Sequence, residues 1–152
     1  MHSQPHLAAI FVAPTRGAPM QTLSDATVRA RQGIEGDRFF LADASSKERV
    51  ITLIEAEALE AAARDYGVPF GAADCRRNLL VRGVALNHLV GRRFRVGALV
   101  LEGKELCEPC DHLAKLTSIA FKDALVHRGG LRAWVREGGV VRVGDAVIVG
   151  DA

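Results

Sequence analysis

The sequence has few of the residues that mark several large classes of protein. It contains only three cysteines in 152 residues, too few for the disulfide framework of a small secreted domain. Aromatic residues make up 5% of the chain, too few for a surface on which nucleic-acid bases stack. No apolar run approaches the ~20 residues that cross a bilayer. We therefore expect a reduced, cytoplasmic protein that binds neither nucleic acid nor membrane.

An excess of charge of one sign is also missing. Lys and Arg number 20 and Asp and Glu number 18, a formal net charge of +2, and no Lys/Arg block resembles a nucleic-acid-binding tail. The first apolar stretch, Leu7 to Ala13, has no Lys or Arg before it, unlike a secretory signal. With 49% hydrophobic and 25% charged residues, the chain is typical of one globular domain over residues 1–152.

Glycine is plentiful, and its 15 residues separate short runs rich in Val, Leu and Ile. Short strands bounded by turn residues, without a regular alternation of strand and helix, predict a β-rich α+β fold rather than a Rossmann-type sheet. The predicted strands are Leu7–Ala13, Thr27–Arg31, Asn78–Val81, Arg93–Val96, Leu99–Glu102, Leu131–Arg136, Val140–Val143 and Ala146–Val149.

Two segments predict helices instead. The segment Thr52–Tyr66 is rich in alanine, and Thr52 followed by Glu55 matches the capping-box pattern of a helix start. Gly67 is a natural end for that helix. The second predicted helix, Ser118–His127, has an apolar stripe and is followed by a glycine pair.

The densest group of reactive side chains is the segment Cys107-Glu108-Pro109-Cys110-Asp111-His112. One thiolate can serve as a nucleophile, a sulfur carrier or a ligand of a soft metal. The pair can also form a redox couple or half of a zinc site, and both cysteines can simply be small core residues. A protonated His112 would lower the pKa of the Cys110 thiol, whereas Glu108 and Asp111 would raise it.

Arginines in three other segments suit the binding of an anion. Arg76 and Asn78 precede a predicted strand, where a guanidinium fork and an amide can hold a phosphate or carboxylate. Arg38 ends the glycine-containing loop at residues 33–38, and Arg132 follows a glycine pair. The alternatives are solvated surface arginines and, for the loop, a tight turn with an Asp37–Arg38 surface pair.

Taken together, these motifs resemble the MOSC domain, named after the C-terminal domain of molybdenum cofactor sulfurases. In sequence order they are Gly-Ile-Glu-Gly-Asp-Arg at 33–38, Thr-Leu-Ile-Glu-Ala-Glu at 52–57, Arg-Arg-Asn-Leu at 76–79, Val-Gly-Arg-Arg-Phe-Arg-Val-Gly at 90–97, Cys-Glu-Pro-Cys at 107–110 and Gly-Gly-Val-Val-Arg-Val-Gly-Asp at 138–145. The resemblance extends from about Ala13 to Asp145. It implies a single β-barrel-like domain over residues 1–152, with a few short helices and with its core at about residues 13–150.

The resemblance implies that the chain handles the molybdenum cofactor, a pterin carrying a dithiolene and a phosphate, or carries sulfur. The family's key cysteine matches Cys110, which ligates molybdenum in the related amidoxime-reducing proteins and is proposed to carry sulfur in the sulfurases. The family's Arg-x-Asn motif matches Arg76 and Asn78. The implied cofactor-binding residues are Arg76, Asn78, Arg38, Arg132 and His112.

Two activities of the Cys110 thiolate fit the resemblance: persulfide transfer to metal-sulfur centres, or molybdenum-dependent reduction of N-hydroxylated compounds. The implied partners are a sulfur donor or acceptor, such as a pyridoxal phosphate-dependent sulfurase, or a reductase. We expect no separate N-terminal barrel or aminotransferase-like domain, so the chain would use a more open site, form a dimer or act as a carrier. The alternative is a non-catalytic β-barrel binding module in which Cys110 is a core residue.

Overall fold

The computed structural model describes residues 4–43, 49–67, 71–109 and 119–150. The strands in these ranges are β1 (His6–Val12), β2 (Gln21–Leu23), β3 (Asp25–Arg29), β4 (Gly33–Ile34), β5 (Val50–Glu55), β6 (Leu79–Arg82), β7 (Arg93–Val96), β8 (Leu99–Leu106), β9 (Leu131–Glu137), β10 (Gly139–Arg142) and β11 (Val147–Val149). The helices are α1 (Ala56–Tyr66) and α2 (Ile119–Ala124), with 3-10 turns at Ala72–Cys75 and Leu86–Leu89.

The strands form two sheets. The larger has the order β11-β7-β8-β9-β5-β6-β1-β2, and the smaller has the order β10-β3-β4. Among the described strands, β5 and β6 are the parallel pair, and all other pairs are antiparallel. A parallel pair needs a crossover connection, and α1 supplies it. The fold therefore contains one βαβ unit inside an otherwise antiparallel framework.

The predicted β-rich α+β class is confirmed, but the predicted barrel-like closure is not. The beginnings of β1 and β11 meet at a single antiparallel bridge between His6 and Ala146, supported by a hydrogen bond from the Leu7 N–H to the Asp145 carbonyl at 2.8 Å. This contact does not extend into a paired strand. In the described parts of the chain the sheets are open.

The core lies on both faces of the larger sheet. Ile10 and Leu53 belong to the main cluster of buried residues, whereas their neighbours Phe11 and Ile54 belong to a second cluster with Leu59 of α1. Successive residues of a strand point to opposite faces, so a strand covered on both sides is apolar throughout. The face beneath α1 also carries the polar residues described below.

The first predicted helix begins later than expected. The segment Val50–Glu55 is strand β5, and α1 begins at Ala56 with Glu55 as its N-cap and no side-chain capping bond. The capping box at Thr52 was therefore a wrong prediction. The run Val-Ile-Thr-Leu-Ile, in which every residue but the leucine is β-branched, favours the sheet, where it pairs with strands on both sides. The predicted end at Gly67 is confirmed by its left-handed conformation, with φ +64°.

The eight predicted strands correspond to β1, β3 and β6 to β11, while β2, β4 and β5 were not predicted. The second predicted helix overlaps α2, and its first residue, Ser118, lies outside the described residues. In the described ranges no helix is both long and apolar enough to cross a membrane.

Candidate functional site

Four polar side chains lie next to one another across the larger sheet. Asn78, just before β6, is hydrogen-bonded to Thr52 of β5. Thr52 stands opposite Arg132 of β9, and Arg132 stands opposite Glu105 of β8. Residues that stand opposite each other in paired strands share a face of the sheet. This polar row therefore brings together two residues that the sequence singled out, Asn78 and Arg132.

Asn78 is 4% exposed and holds three strands together. Its Oδ1 accepts hydrogen bonds from the N–H and the hydroxyl of Thr52, at 3.2 and 3.1 Å. Its Nδ2 donates to the carbonyl of Phe11 in β1 at 3.2 Å. A buried amide without such partners would be costly, so these bonds stabilise the junction of β1, β5 and β6. They use one of the two N–H groups of the Asn78 amide as a donor.

Arg38 and Asp37 form a buried pair rather than the surface pair of the alternative interpretation. The Asp37 residue is 8% exposed, and the Arg38 side chain is 10% exposed. The Asp37 Oδ1 accepts a hydrogen bond from the Ala13 N–H and another from Arg38 Nη1, each at 3.0 Å. Arg38 Nη2 donates to the carbonyl of Arg76 at 3.3 Å. The loop at residues 33–38 is thereby joined to the segment that carries Arg76.

Positive charge exceeds negative charge at this junction. Burial lowers the pKa of the Arg38 guanidinium, the nearby charges of Arg76 and Arg77 lower it further, and Asp37 opposes both effects. Arg38 thus lies in a cluster of three guanidinium groups and is paired with the buried Asp37 carboxylate. Such a cluster lowers its electrostatic energy by taking up an anion.

Arg76 has an unused donor within this cluster. Its Nη2 is buried and has no hydrogen-bond partner in the part of the chain that the structure describes. Leaving a buried donor unpaired costs about 1–3 kcal/mol, and more when it is charged. Arg76 also has a left-handed backbone, with φ +61°, a conformation that costs a non-glycine residue about 1–2 kcal/mol. Both costs fall on a residue of the Arg-x-Asn motif, as is typical of functional positions.

The sequence did not predict the role of Arg77. Its Nε donates to the Gly129 carbonyl at 2.8 Å, and its Nη2 donates to the Cys107 carbonyl at 3.0 Å. A Cβ at Gly129 would lie 2.5 Å from the Cys107 carbonyl oxygen, and one at Gly130, with φ +113°, would collide with the Leu53 carbonyl. The glycine pair is therefore required where the end of β8 meets the start of β9. In the sequence, the Gly129-Gly130 pair was the signal that two backbone segments come close together here.

The thiol of Cys107 lies beside Arg132. Cys107 is 2% exposed, whereas the Arg132 side chain is 45% exposed. The negative charge of an ionised Cys107 raises the pKa of the Arg132 guanidinium. The hydrogen bonds that Arg132 donates to that sulfur and to Glu105 raise it as well, whereas partial burial lowers it. The Arg132 Nη1 lies 3.3 Å from Glu105 Oε1. Arg132 is thus a cation shared by a thiol and a carboxylate.

Cys110 and His112 lie outside the described residues, as does Asp111. Glu108, which the sequence placed near Cys110, accepts a hydrogen bond from the His127 N–H at 3.0 Å and lies 3.3 Å from its Nδ1. The Glu108 carboxylate is therefore held at the surface by the backbone N–H of His127. Within the described ranges, no three His, Cys, Asp or Glu side chains meet as a metal site.

Cys75 is a core residue. It is 0% exposed, its thiol donates to the Ala72 carbonyl at 3.1 Å, and it belongs to the cluster beneath α1. Burial raises the pKa of the Cys75 thiol to about 11. Because the thiolate is the reactive form, Cys75 carries no nucleophilic chemistry at neutral pH.

We expect Cys75 to resist iodoacetamide at pH 7.5 in the native protein and to react after unfolding. Its folded pKa is raised, so the unfolded chain loses the thiol proton first, and the free energy of unfolding falls as pH rises from about 9 to about 11. The fall is roughly 1–3 kcal/mol, at 1.4 kcal/mol per pKa unit. Cys75→Ala should abolish it in urea titrations. If the free energy of unfolding of Cys75→Ala fell by the same amount over this pH range, the fall would not come from the Cys75 thiol.

Comparison with known proteins identifies the family. The model of the MOSC domain matches residues 42–148. The crystal structure of YuaD from Bacillus subtilis is 19% identical, with a TM-score of 0.78 and 94% of each chain covered. YiiM from Geobacillus stearothermophilus is 17% identical, with a TM-score of 0.74, covering 97% of this chain and 75% of that one. YiiM from Escherichia coli is 18% identical, with a TM-score of 0.71, covering 96% and 70%.

No curated protein matches the chain. At these identities the solved structures show a shared fold and nothing about activity. The family model, however, matches well over half of the sequence, and it includes the Arg-x-Asn motif and the Cys107–Cys110 segment. The chain belongs to the MOSC domain family.

Proposed function

We propose that this chain binds the molybdenum cofactor at the polar row and the adjoining arginine cluster, with the Cys110 thiolate as metal ligand or sulfur carrier. The observation that carries the proposal is the buried, unpartnered Nη2 of Arg76 in a cluster of three guanidinium groups. MOSC domains are associated with this cofactor. A buried cation that lacks a partner is the feature that a phosphate-bearing ligand requires.

The residues present fit the chemical parts of the cofactor. Arg76 would take the phosphate, because its Nη2 is free to donate. Arg38 would act as a positioning residue, since its two Nη atoms already donate to Asp37 and to the Arg76 carbonyl. The remaining N–H of Asn78 and the half-exposed Arg132 would face the pterin. When bound, the cofactor supplies a soft metal that a thiolate ligates well.

The basic groups of the site would also control thiol ionisation. A thiolate is stabilised by a neighbouring guanidinium, and the Arg132 guanidinium lies beside Cys107, in the same segment as Cys110. Glu108, a carboxylate that would oppose ionisation, accepts a hydrogen bond from the His127 N–H. We assign the reactive role to Cys110 because it is the cysteine that matches the family's key position.

Within this proposal, Cys110 serves one of two reactions: persulfide transfer to a metal-sulfur centre, or reduction of N-hydroxylated compounds at bound molybdenum. The first needs a sulfur donor or acceptor protein, such as a pyridoxal phosphate-dependent sulfurase, and the second needs a reductase. Cyanide-releasable sulfur on the purified protein supports the first reaction. Turnover of an amidoxime with an artificial electron donor supports the second.

Arg76→Gln tests the phosphate contact. We expect it to weaken retention of the released cofactor by roughly 10- to 100-fold, because a hydrogen bond to a charged group contributes about 1.5–3 kcal/mol. Retention is measured as pterin fluorescence after gel filtration and oxidation. Arg92→Gln is the matched control and should retain the cofactor as wild type does. Arg92 is an exposed arginine next to β7, and three strands separate β7 from β6, the strand that follows Arg76. Equal retention by wild type and Arg76→Gln would contradict the proposal.

A further inference from the structure

A cationic cavity lies on the larger sheet beside the proposed cofactor site. It has a volume of about 350 Å³. Its lining residues are Ala30, Arg31, Arg49, Trp134, Val135 and Arg136. Trp134 and Arg132 are alternate residues of β9 and so share a face of the sheet. None of the lining residues belongs to the proposed cofactor site.

The cavity carries excess positive charge. Arg136 pairs with Glu102 at 3.1 Å. In the described part of the chain, Arg31 and Arg49 have no carboxylate partner. Counting only residues that the structure describes, two guanidinium charges therefore remain uncompensated around one concave space. A concave surface with charge of one sign raises the local concentration of ions of the opposite sign.

Arg49 is fixed in this position with a buried donor unused. Its Nε is shielded from solvent and has no hydrogen-bond partner among the residues described. Its stem packs over Gly33 of β4, where an added Cβ would lie 3.6 Å from Arg49 Cγ. Gly33 has φ +104°, a conformation that disfavours any side chain there. The arginine stem therefore packs against the β4 backbone, and its Nε remains an unused donor.

Trp134 adds a rigid wall to the cavity. The Arg136 guanidinium lies 4.8 Å from the centroid of its ring, and the Lys104 ammonium lies 5.8 Å from it. Both distances are within the range of cation–π attraction. These contacts hold a further positive charge at the cavity wall and fix the indole beside it.

We propose that this cavity binds a phosphorylated small molecule, with the phosphate held by Arg49 and Arg31. A phosphate monoester carries about −1.5 to −2 charge at neutral pH, which matches the two uncompensated guanidinium groups, whereas a carboxylate would neutralise only one. Paired guanidinium forks also suit the geometry of phosphate oxygens. The volume leaves room for a diphosphate or for an organic group attached to the phosphate.

The test is a titration with inorganic pyrophosphate, followed by the fluorescence of Trp134, the only tryptophan of the chain. It is carried out in Arg76→Gln protein, so that a phosphate site at Arg76 does not contribute. We expect a saturable change in fluorescence and at least tenfold weaker binding after Arg49→Gln. Arg31→Gly is a second variant, because Arg31 has φ +65° and glycine suits that backbone.

Arg64→Gln is the matched control. It removes the same charge from a side chain that is 75% exposed on α1, and it should bind pyrophosphate as the parent does. If Arg64→Gln weakened pyrophosphate binding as much as Arg49→Gln does, the anion would be attracted by the net charge of the protein alone, and the proposal would be overturned. The absence of a saturable signal would overturn it too. Since neither outcome involves cofactor retention, failure here is distinct from failure of the proposed function.

Discussion

Replacing Cys110 with serine is expected to reduce bound molybdenum and cyanide-releasable sulfur in the purified protein to background. Molybdenum and sulfane sulfur are soft and require a thiolate, whereas a serine hydroxyl stays protonated at neutral pH and is a hard donor. Because both proposed reactions use the same sulfur, both signals should vanish together with activity. Elemental analysis and cyanolysis measure them directly.

Cys75→Ala is the control for that experiment. It removes a thiol that solvent does not reach, so the molybdenum and sulfur contents should match wild type. If Cys110→Ser also kept wild-type contents, Cys110 would not be the reactive group. The non-catalytic alternative, in which Cys110 is a core residue, predicts instead that this cysteine resists alkylation in the native protein. Rapid alkylation of Cys110 at neutral pH would exclude this non-catalytic alternative.

Arg38→Gln is expected to destabilise the protein by about 3–5 kcal/mol, because it leaves the buried Asp37 carboxylate without its cation. The Ala13 N–H would then be the remaining donor to that oxygen among the contacts described. For a chain of this size the melting temperature should fall by roughly 6–20 °C. Urea denaturation followed by circular dichroism gives the free energy of unfolding.

The double variant Asp37→Asn/Arg38→Gln separates the ion pair from packing. Replacing the carboxylate with a neutral amide removes the uncompensated charge, so the double variant should recover part of the lost stability. A loss below about 1 kcal/mol in Arg38→Gln alone is the value typical of surface pairs. That result would contradict the buried arrangement.

Much of the sheet could be predicted from local pattern. In Arg93–Val96, arginines alternate with apolar residues, and the structure buries Phe94 and Val96 while leaving Arg93 exposed. At Thr52 the local pattern was misleading, since a capping-box sequence lies inside a strand. Pairing on both sides of β5 outweighed the local helix signal there. The very short strands β2 and β4 carry too few residues for any periodicity to emerge.

The site was predictable in its members but not in their roles. Arg76 and Asn78 were singled out from one motif and Arg38 from another, and the structure brings the two motifs together. That Asn78 uses its amide on Thr52 and Phe11 depends on contacts 26 and 67 residues away. The contacts of Arg77 with the Gly129 turn are similarly distant in sequence. Cys110 was singled out through the family resemblance, because spacing alone left several interpretations open.

The most direct test of the central claim is the molybdenum and pterin content of wild-type protein. The measurement uses freshly purified protein, and the same protein after incubation with released cofactor and desalting. The account predicts molybdenum and oxidised-pterin fluorescence that elute with the protein in a constant ratio and that fall sharply in Arg76→Gln. Wild-type protein that is folded yet holds neither molybdenum nor pterin after incubation would contradict it.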